Sequence, residues 1–364
     1  MSQLNPPPTG NSRVVPGSGG NRLLSPVIQK FPPSAFSFVM ATGILSTGLH
    51  LTGHSAASVV LLWIAAASAV LLTAALLWRA AAYPGKLLTD LNNPAKTFGF
   101  FTIVAGANVL GLRFDLAGFP EATLWLGITA GLLWAALNYG IPCSMLLRER
   151  STPILQDANG SWFLWVVATQ SMANALAVVA RATGNAHLGA AATAAWSIGL
   201  VLYLLVGTLV TLRLLTLPNR PEDLSPTYWI FMGATAITVL AGAKLLQMPT
   251  EFPVMISTAG FVAGASYALW ALGLWWIPLL LVFGFWRHVI RKYPASYETG
   301  MWAIVFPLGM MSAASISFGR GESILMMEHI GEVGVWIAAA AWAGTVVLML
   351  ISCLHWLRGG NRPA

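Results

Sequence analysis

Residues 303–315 read AIVFPLGMMSAAS, an apolar run with Phe306 and Pro307 near its centre. Proline inside a helix removes one backbone hydrogen bond and costs about 3 kcal/mol. In a bilayer, the carbonyl group that such a proline frees is tolerated where it meets protein or lines a cavity. The stretch therefore predicts a membrane-spanning helix, bent at Pro307, that lies inside a larger helical assembly.

The composition of the whole chain agrees with a membrane location. Of the 364 residues, 57% are hydrophobic and 9% are charged, whereas about 25% are charged in soluble domains. Apolar runs of about 20 residues, long enough to cross a bilayer, recur along the chain. The sequence predicts an all-α integral membrane protein whose ten transmembrane helices cover residues 34–52, 56–80, 97–114, 120–146, 161–182, 188–216, 227–247, 263–289, 299–318 and 333–357. The run 254–290 exceeds one crossing, so 248–262 is interpreted as an outer loop or re-entrant turn.

Basic residues predict the orientation of these ten spans. With a cytoplasmic N-terminus, fifteen of the 19 Lys and Arg residues lie on the cytoplasmic side and only Arg113, Arg181, Lys244 and Arg320 lie outside. The positive-inside rule then places both termini in the cytoplasm and the protein in the cell membrane. This topology accounts for the net charge of +7 without a nucleic-acid partner. The predicted domains are a flexible tail 1–30, a transport domain 31–358 and a short tail 359–364.

Polar side chains inside the spans are hydroxyls and amides. No Asp or Glu lies in the middle of a predicted span, and a path without carboxylates does not repel anions. Candidate lining residues are Ser34, Thr42, Ser46, Thr102, Asn108, Gln170, Asn174 and Ser312. Hydrogen bonding between helices is the alternative explanation for each of them.

The fifth span carries a longer polar stripe. Gln170, Asn174 and Arg181 are spaced by 4 and 7 residues, so they share one helix face. Together with Lys244 near the outer end of span 7, Arg181 is predicted to attract anions at the outer mouth. Both cations could equally extend to the membrane interface.

Enzymatic and metal-dependent functions have little support. The six histidines lie mostly near span ends without a second ligand at metal spacing, and no nucleotide-binding loop is present. We therefore predict no metal, no cofactor and no enzyme activity. For Phe306, the residues alone leave two alternatives: a core side chain at a proline kink, slightly favoured, or a ring that blocks a narrow path.

Three stretches resemble the tellurite-resistance/dicarboxylate transporter family, which includes the slow anion channels of plant guard cells. They are MWAIVFPLGM at 301–310, FPPSAFSFVMATGILSTG at 31–48 and WWIPLLLVFGFWRHV at 275–289. The resemblance extends from about residue 31 to 357. It implies five helical hairpins around a pseudo-five-fold central pore lined by the odd-numbered spans, a homotrimer within membrane lipid, and occlusion of the pore by Phe306.

The same resemblance implies the class of substrate. Relatives carry small inorganic anions such as chloride, nitrate and sulfite, tellurite-linked substrates, or dicarboxylates such as malate. The leading hypothesis is therefore an anion channel gated by Phe306. The alternative is a secondary carrier, proton-linked or not, for C4-dicarboxylates or for efflux of sulfite- or tellurite-type oxyanions.

Overall fold

The computed structural model describes residues 21–149 and 151–358. Ten helices in this part are long and apolar enough to cross a membrane, which confirms the predicted number. We call them spans 1 to 10 in chain order: Pro33–Leu51, Ser55–Ala82, Thr97–Asp115, Pro120–Leu147, Gly160–Thr183, Ala186–Thr216, Pro226–Leu246, Pro253–Ile290, Thr299–Gly321 and Leu325–Trp356. Most of the predicted N-terminal tail (1–20) and the C-terminal tail 359–364 lie outside the described residues, and residues Asn21–Gln29 form a short helix.

The prediction of a loop at 248–262 is wrong. Span 8 begins at Pro253 and its α-helix continues without interruption to Phe285. The start of this helix is stabilised by tertiary packing, because Phe252, just before it, and Met255 belong to one buried cluster with Ala192 and Trp196 of span 6. Hydropathy alone cannot distinguish such a long packed helix from a loop followed by a shorter one.

Span 10 also begins earlier than predicted, at Leu325 rather than at residue 333. Its first turns contain Glu328, whose Oε1 accepts a hydrogen bond of 2.6 Å from Nε of Arg320 at the end of span 9. The first turns of the helix therefore carry charged residues that lie outside the apolar segment. The length of the apolar segment alone underestimates the length of this helix.

The spans form two layers around a common core. The most apolar stretch of each odd-numbered span is 78–83% buried within the protein, whereas the corresponding value for the even-numbered spans is 11–28%. Large apolar side chains such as Val70, Leu132 and Leu215 are exposed on the even-numbered spans. The odd-numbered spans thus form an inner layer, and the even-numbered spans present apolar side chains to the surroundings.

The inner layer closes into a ring. Each odd-numbered span packs against the next, and span 9 packs against span 1. Each even-numbered span packs against the odd-numbered span before it, which gives five helical hairpins. These contacts are compatible with the expected pseudo-five-fold arrangement, although the rotational symmetry itself stays a prediction.

A local feature recurs at the start of every odd-numbered span. Each begins with a 3-10 turn followed directly by α-helix, and an aromatic residue occupies the fourth position of the span. These residues are Phe36, Phe100, Phe163, Trp229 and Trp302. Because the ten spans alternate in direction, all five turns lie at the end of the bundle where span 1 begins and span 10 ends. We call this the terminal end and the opposite one the far end.

Candidate functional site

A large cavity opens at the terminal end of the ring. It has a volume of about 880 Å³ and includes residues from all five odd-numbered spans, namely Met40, Thr102, Leu164, Ile230 and Phe306. The first turns of these spans also line it, through Ser34, Gly99, Ser161, Thr227 and Gly300. The N-termini of five inner helices therefore surround one cavity.

A small cavity lies toward the far end. Its volume is about 60 Å³, which is enough for a few water molecules. It too receives residues from every odd-numbered span, namely Ile44, Val109, Ser171, Ile237 and Met310. The two cavities thus share the same five walls and differ in their depth along the bundle.

Phe306 lies where the two cavities approach each other. Its side chain is 1% exposed and lines the large cavity, while Met310, one helical turn further along span 9, lines the small one. On span 1, Met40 and Ile44 are divided between the cavities in the same way. One turn of helix therefore separates the large cavity from the small cavity at Phe306.

Close packing with span 7 fixes the position of the Phe306 turn. Pro307 lies inside the helix Trp302–Gly321, as the sequence predicts. A Cβ atom added to Gly233 would lie 2.8 Å from Cγ of Pro307 and 3.5 Å from Cε1 of Phe306. Glycine at position 233 is what allows the Phe306–Pro307 segment to approach the backbone of span 7 this closely.

Some of the predicted polar residues reach the cavities. Ser34 and Thr102 line the large cavity. Asn174, Arg181 and Lys244 line the small one. In addition, Asn108 donates a hydrogen bond of 2.9 Å from Nδ2 to Oγ of Ser171, itself a lining residue of the small cavity.

Three of the other candidates hydrogen-bond to even-numbered spans. Thr42 accepts a bond of 3.0 Å from Nε1 of Trp342 in span 10. Ser46 donates a bond of 2.6 Å to the carbonyl oxygen of Ser58 in span 2. Gln170 donates a bond of 3.0 Å from Nε2 to the carbonyl oxygen of Trp196 in span 6. These contacts make the three side chains part of the packing between the two layers.

Ser312 also lies away from the two cavities. Its hydroxyl donates to the carbonyl oxygen of Leu308 at 2.7 Å, and a Cβ added to Gly334 of span 10 would lie 2.5 Å from its Oγ. The shared face proposed for Gln170, Asn174 and Arg181 is thus divided, because Gln170 contacts span 6 while the other two reach the small cavity.

Sequence reasoning missed several charged residues of these cavities. Asp115, the last residue of span 3, lines the small cavity together with Arg181 and Lys244. The large cavity contains two ion pairs, Arg79 with Asp90 and Arg213 with Asp223. The sequence contains a pattern that could have indicated these two ion pairs. In both, the carboxylate follows the arginine by ten or eleven residues and lies shortly before the next odd-numbered span.

These features define a class of protein. Ten spans, an inner ring of five, and two cavities that share the ring as their wall are the architecture of a membrane transport protein. No group of three His, Cys, Asp or Glu side chains in the described ranges 21–149 and 151–358 is placed to hold a metal ion.

Comparison with known proteins gives the family. The sequence profile described as SLAC1, voltage-dependent anion channel, matches residues 30–350. The chain therefore belongs to the SLAC1 family of anion channels and transporters, which confirms the resemblance inferred from the three sequence stretches.

Individual relatives cover different parts of the chain. The uncharacterized membrane protein Rv1735c of Mycobacterium tuberculosis is 48% identical over 149 residues, which are 41% of this chain and 75% of the relative. The uncharacterized transporter MJ0576 of Methanocaldococcus jannaschii is 25% identical over 336 residues, 88% of this chain and 93% of the relative. The sulfite efflux pump SSU1 of Arthroderma otae is 25% identical over 349 residues, 86% and 88% of the two chains.

Proposed function

We propose that this protein conducts small anions across the membrane through the centre of the odd-numbered ring, and that Phe306 closes the path. The main support for this proposal is the position of the helical turn of span 9 that runs from Phe306 to Met310. Phe306 lines the large cavity and Met310 the small one, and both cavities are surrounded by the same five helices. Removing the ring of Phe306 would therefore be expected to join two spaces that are lined by the same five helices.

The electrostatics of the path favour an anion. The first turns of five helices surround the large cavity, and the partial positive charge of a helix N-terminus attracts anions. At the far end, the cations Arg181 and Lys244 outnumber the single carboxylate of Asp115 in the small cavity. Hydroxyl and amide groups such as those of Thr102 and Asn174 can replace part of a hydration shell without holding the ion too tightly.

The test is a comparison of two phenylalanine variants in proteoliposomes. Phe306→Ala should raise chloride, nitrate or sulfite flux, by about tenfold for each 1.4 kcal/mol by which the barrier falls. Phe318→Ala is the matched control, because Phe318 is a buried phenylalanine of the same span that lines neither cavity. Equal flux in wild type and in folded Phe306→Ala would count against a gate at this position.

A coupled carrier is the second candidate function. It is favoured by the similarity to a protein named as a sulfite efflux pump. The carried anion would be sulfite, another oxyanion, or a C4-dicarboxylate such as malate. Saturable uptake that follows an imposed pH gradient, without single-channel currents, would support the carrier; currents that reverse at the anion equilibrium potential would support the channel.

The proposed setting is the cell membrane, with both termini in the cytoplasm and three copies in the assembly. The excess of basic residues at the terminal end supports this orientation. Accessibility of tags at the two termini in intact and permeabilised cells tests the orientation. Native mass spectrometry of the purified protein tests the trimer.

A further inference from the structure

Arg113 differs from the other buried arginines of this protein. Among the described residues, four arginines are more than nine-tenths buried: Arg79, Arg113, Arg213 and Arg287. Three of them pair with carboxylates, Arg79 with Asp90 at 2.6 Å, Arg213 with Asp223 at 3.3 Å and Arg287 with Glu298 at 3.0 Å. For Arg113, which is 1% exposed, the described part of the chain offers no carboxylate within ion-pair distance.

Two serines hold the Arg113 guanidinium instead. Its Nε donates to Oγ of Ser46 at 3.0 Å, and its Nη2 donates to Oγ of Ser58 at 2.8 Å. Each serine hydroxyl in turn donates to the backbone carbonyl of the other serine, at 2.6 Å in both cases. Both hydroxyl protons are therefore engaged elsewhere, and the oxygen lone pairs are left to face the guanidinium.

This arrangement fixes the position of the charge without neutralising it. Serine hydroxyls contribute dipoles but no negative charge, and Nη1 of Arg113 has no hydrogen-bond partner among the described residues. A buried charge without a counter-ion is strongly unfavourable, and ionisable residues inside transmembrane segments mark functional sites such as ion pathways.

The location of Arg113 shows where that field acts. Its neighbours Leu112, Asp115 and Leu116 line the small cavity, as does Thr47, the residue after Ser46. The guanidinium thus lies behind the wall that spans 1 and 3 contribute to this cavity. In a medium of low effective dielectric constant, a unit charge at this depth acts strongly on an ion in the cavity.

We propose that Arg113 is a selectivity residue, a fixed and uncompensated positive charge that admits anions to the small cavity and excludes cations. The proposal rests on the proposed function, because it assumes that anions cross the ring. Arg113 acts through space rather than by contact with the ion. The small cavity is then influenced by three cations and by the single carboxylate of Asp115.

The sharpest test supplies the missing counter-ion and leaves Arg113 in place. Ser46→Asp puts a carboxylate beside the guanidinium, and Ser46→Asn is the neutral control of the same size. The measurement is the chloride-to-potassium permeability ratio, from reversal potentials of the reconstituted protein under a KCl gradient. We expect Ser46→Asp to lower this ratio by about tenfold relative to Ser46→Asn, because a carboxylate beside the guanidinium cancels most of its field in the cavity.

A second pair of variants separates charge from structure. Arg113→Gln removes the charge, and Arg113→Lys keeps it while losing the paired contacts to the serines. Ratios close to wild type in Arg113→Lys and about tenfold lower in Arg113→Gln support the proposal. Equal chloride-to-potassium permeability ratios in Ser46→Asp and Ser46→Asn would overturn it. So would a ratio in Arg113→Lys as low as the ratio in Arg113→Gln. A wild-type protein that conducts none of the anions tested would overturn the proposed function itself.

Discussion

Arg79 and Asp90 form a buried ion pair, with 2.6 Å between Nη2 and Oδ2. The pair joins the last turns of span 2 to the segment that precedes span 3. The same relationship recurs between Arg213 of span 6 and Asp223 just before span 7, and between Arg287 of span 8 and Glu298 just before span 9. In each case an ion pair ties an even-numbered span to the segment that leads into the next helix of the ring.

Removal of the carboxylate at position 90 should destabilise the protein. Asp90→Asn leaves the guanidinium of Arg79 buried without its counter-ion, a change that typically costs about 3–5 kcal/mol. We expect a lower thermal unfolding temperature in detergent. Glu149→Gln is the control, because Glu149 is exposed, and it should unfold at the wild-type temperature. A similar temperature for all three proteins would show that the ion pair contributes little.

The contact between Gly233 and the Phe306–Pro307 segment predicts an effect on both stability and flux. In Gly233→Ala, the new methyl group would lie 2.8 Å from Cγ of Pro307 and 3.5 Å from Cε1 of Phe306. Span 9 must move, at a cost of about 1–3 kcal/mol, and the ring of Phe306 moves with it. We expect a lower unfolding temperature together with raised basal anion flux in proteoliposomes.

Gly264→Ala provides the control for that variant. Gly264 lies in span 8, and a Cβ atom there would have no neighbour within 4 Å, so stability and flux should stay at wild-type values. If Gly233→Ala is destabilised while its flux is unchanged, the position of Phe306 does not limit the path.

Two polar residues that the sequence treats alike should behave differently. Thr42→Val removes the hydroxyl that accepts a hydrogen bond from Nε1 of Trp342, which costs about 1 kcal/mol of stability, and it should leave anion flux unchanged. Asn174→Leu removes an amide that lines the small cavity, and it should lower flux severalfold without comparable destabilisation. Flux assays and thermal unfolding on both variants check this; a larger loss of flux in Thr42→Val would contradict the assignment of Thr42 to packing.

The polar residues also show why the candidate site was only partly predictable. Helical spacing correctly indicated that Gln170 and Asn174 lie near one another on span 5, since Nδ2 of Asn174 donates to the carbonyl oxygen of Gln170. It could not indicate that Gln170 contacts span 6. A helix of the inner ring is buried on nearly every side, so a polar residue facing the axis and one facing an outer helix have the same signature in the sequence.

Arg113 illustrates the same limit for charge. In the sequence it is one of four basic residues on the minority side of the membrane, near the end of an apolar run. Its lack of a counter-ion becomes visible only when Ser46 and Ser58, on two other helices, are placed around it.

The sequence by itself determined the membrane class, the ten spans and the expected orientation, because these depend on local apolar length and on the placement of basic residues. Only the tertiary structure decided which helices form the ring, which polar groups reach its two cavities, and which buried charges are neutralised. Those properties depend on contacts between helices far apart in the chain, and no local pattern encodes the direction in which a fully buried side chain points.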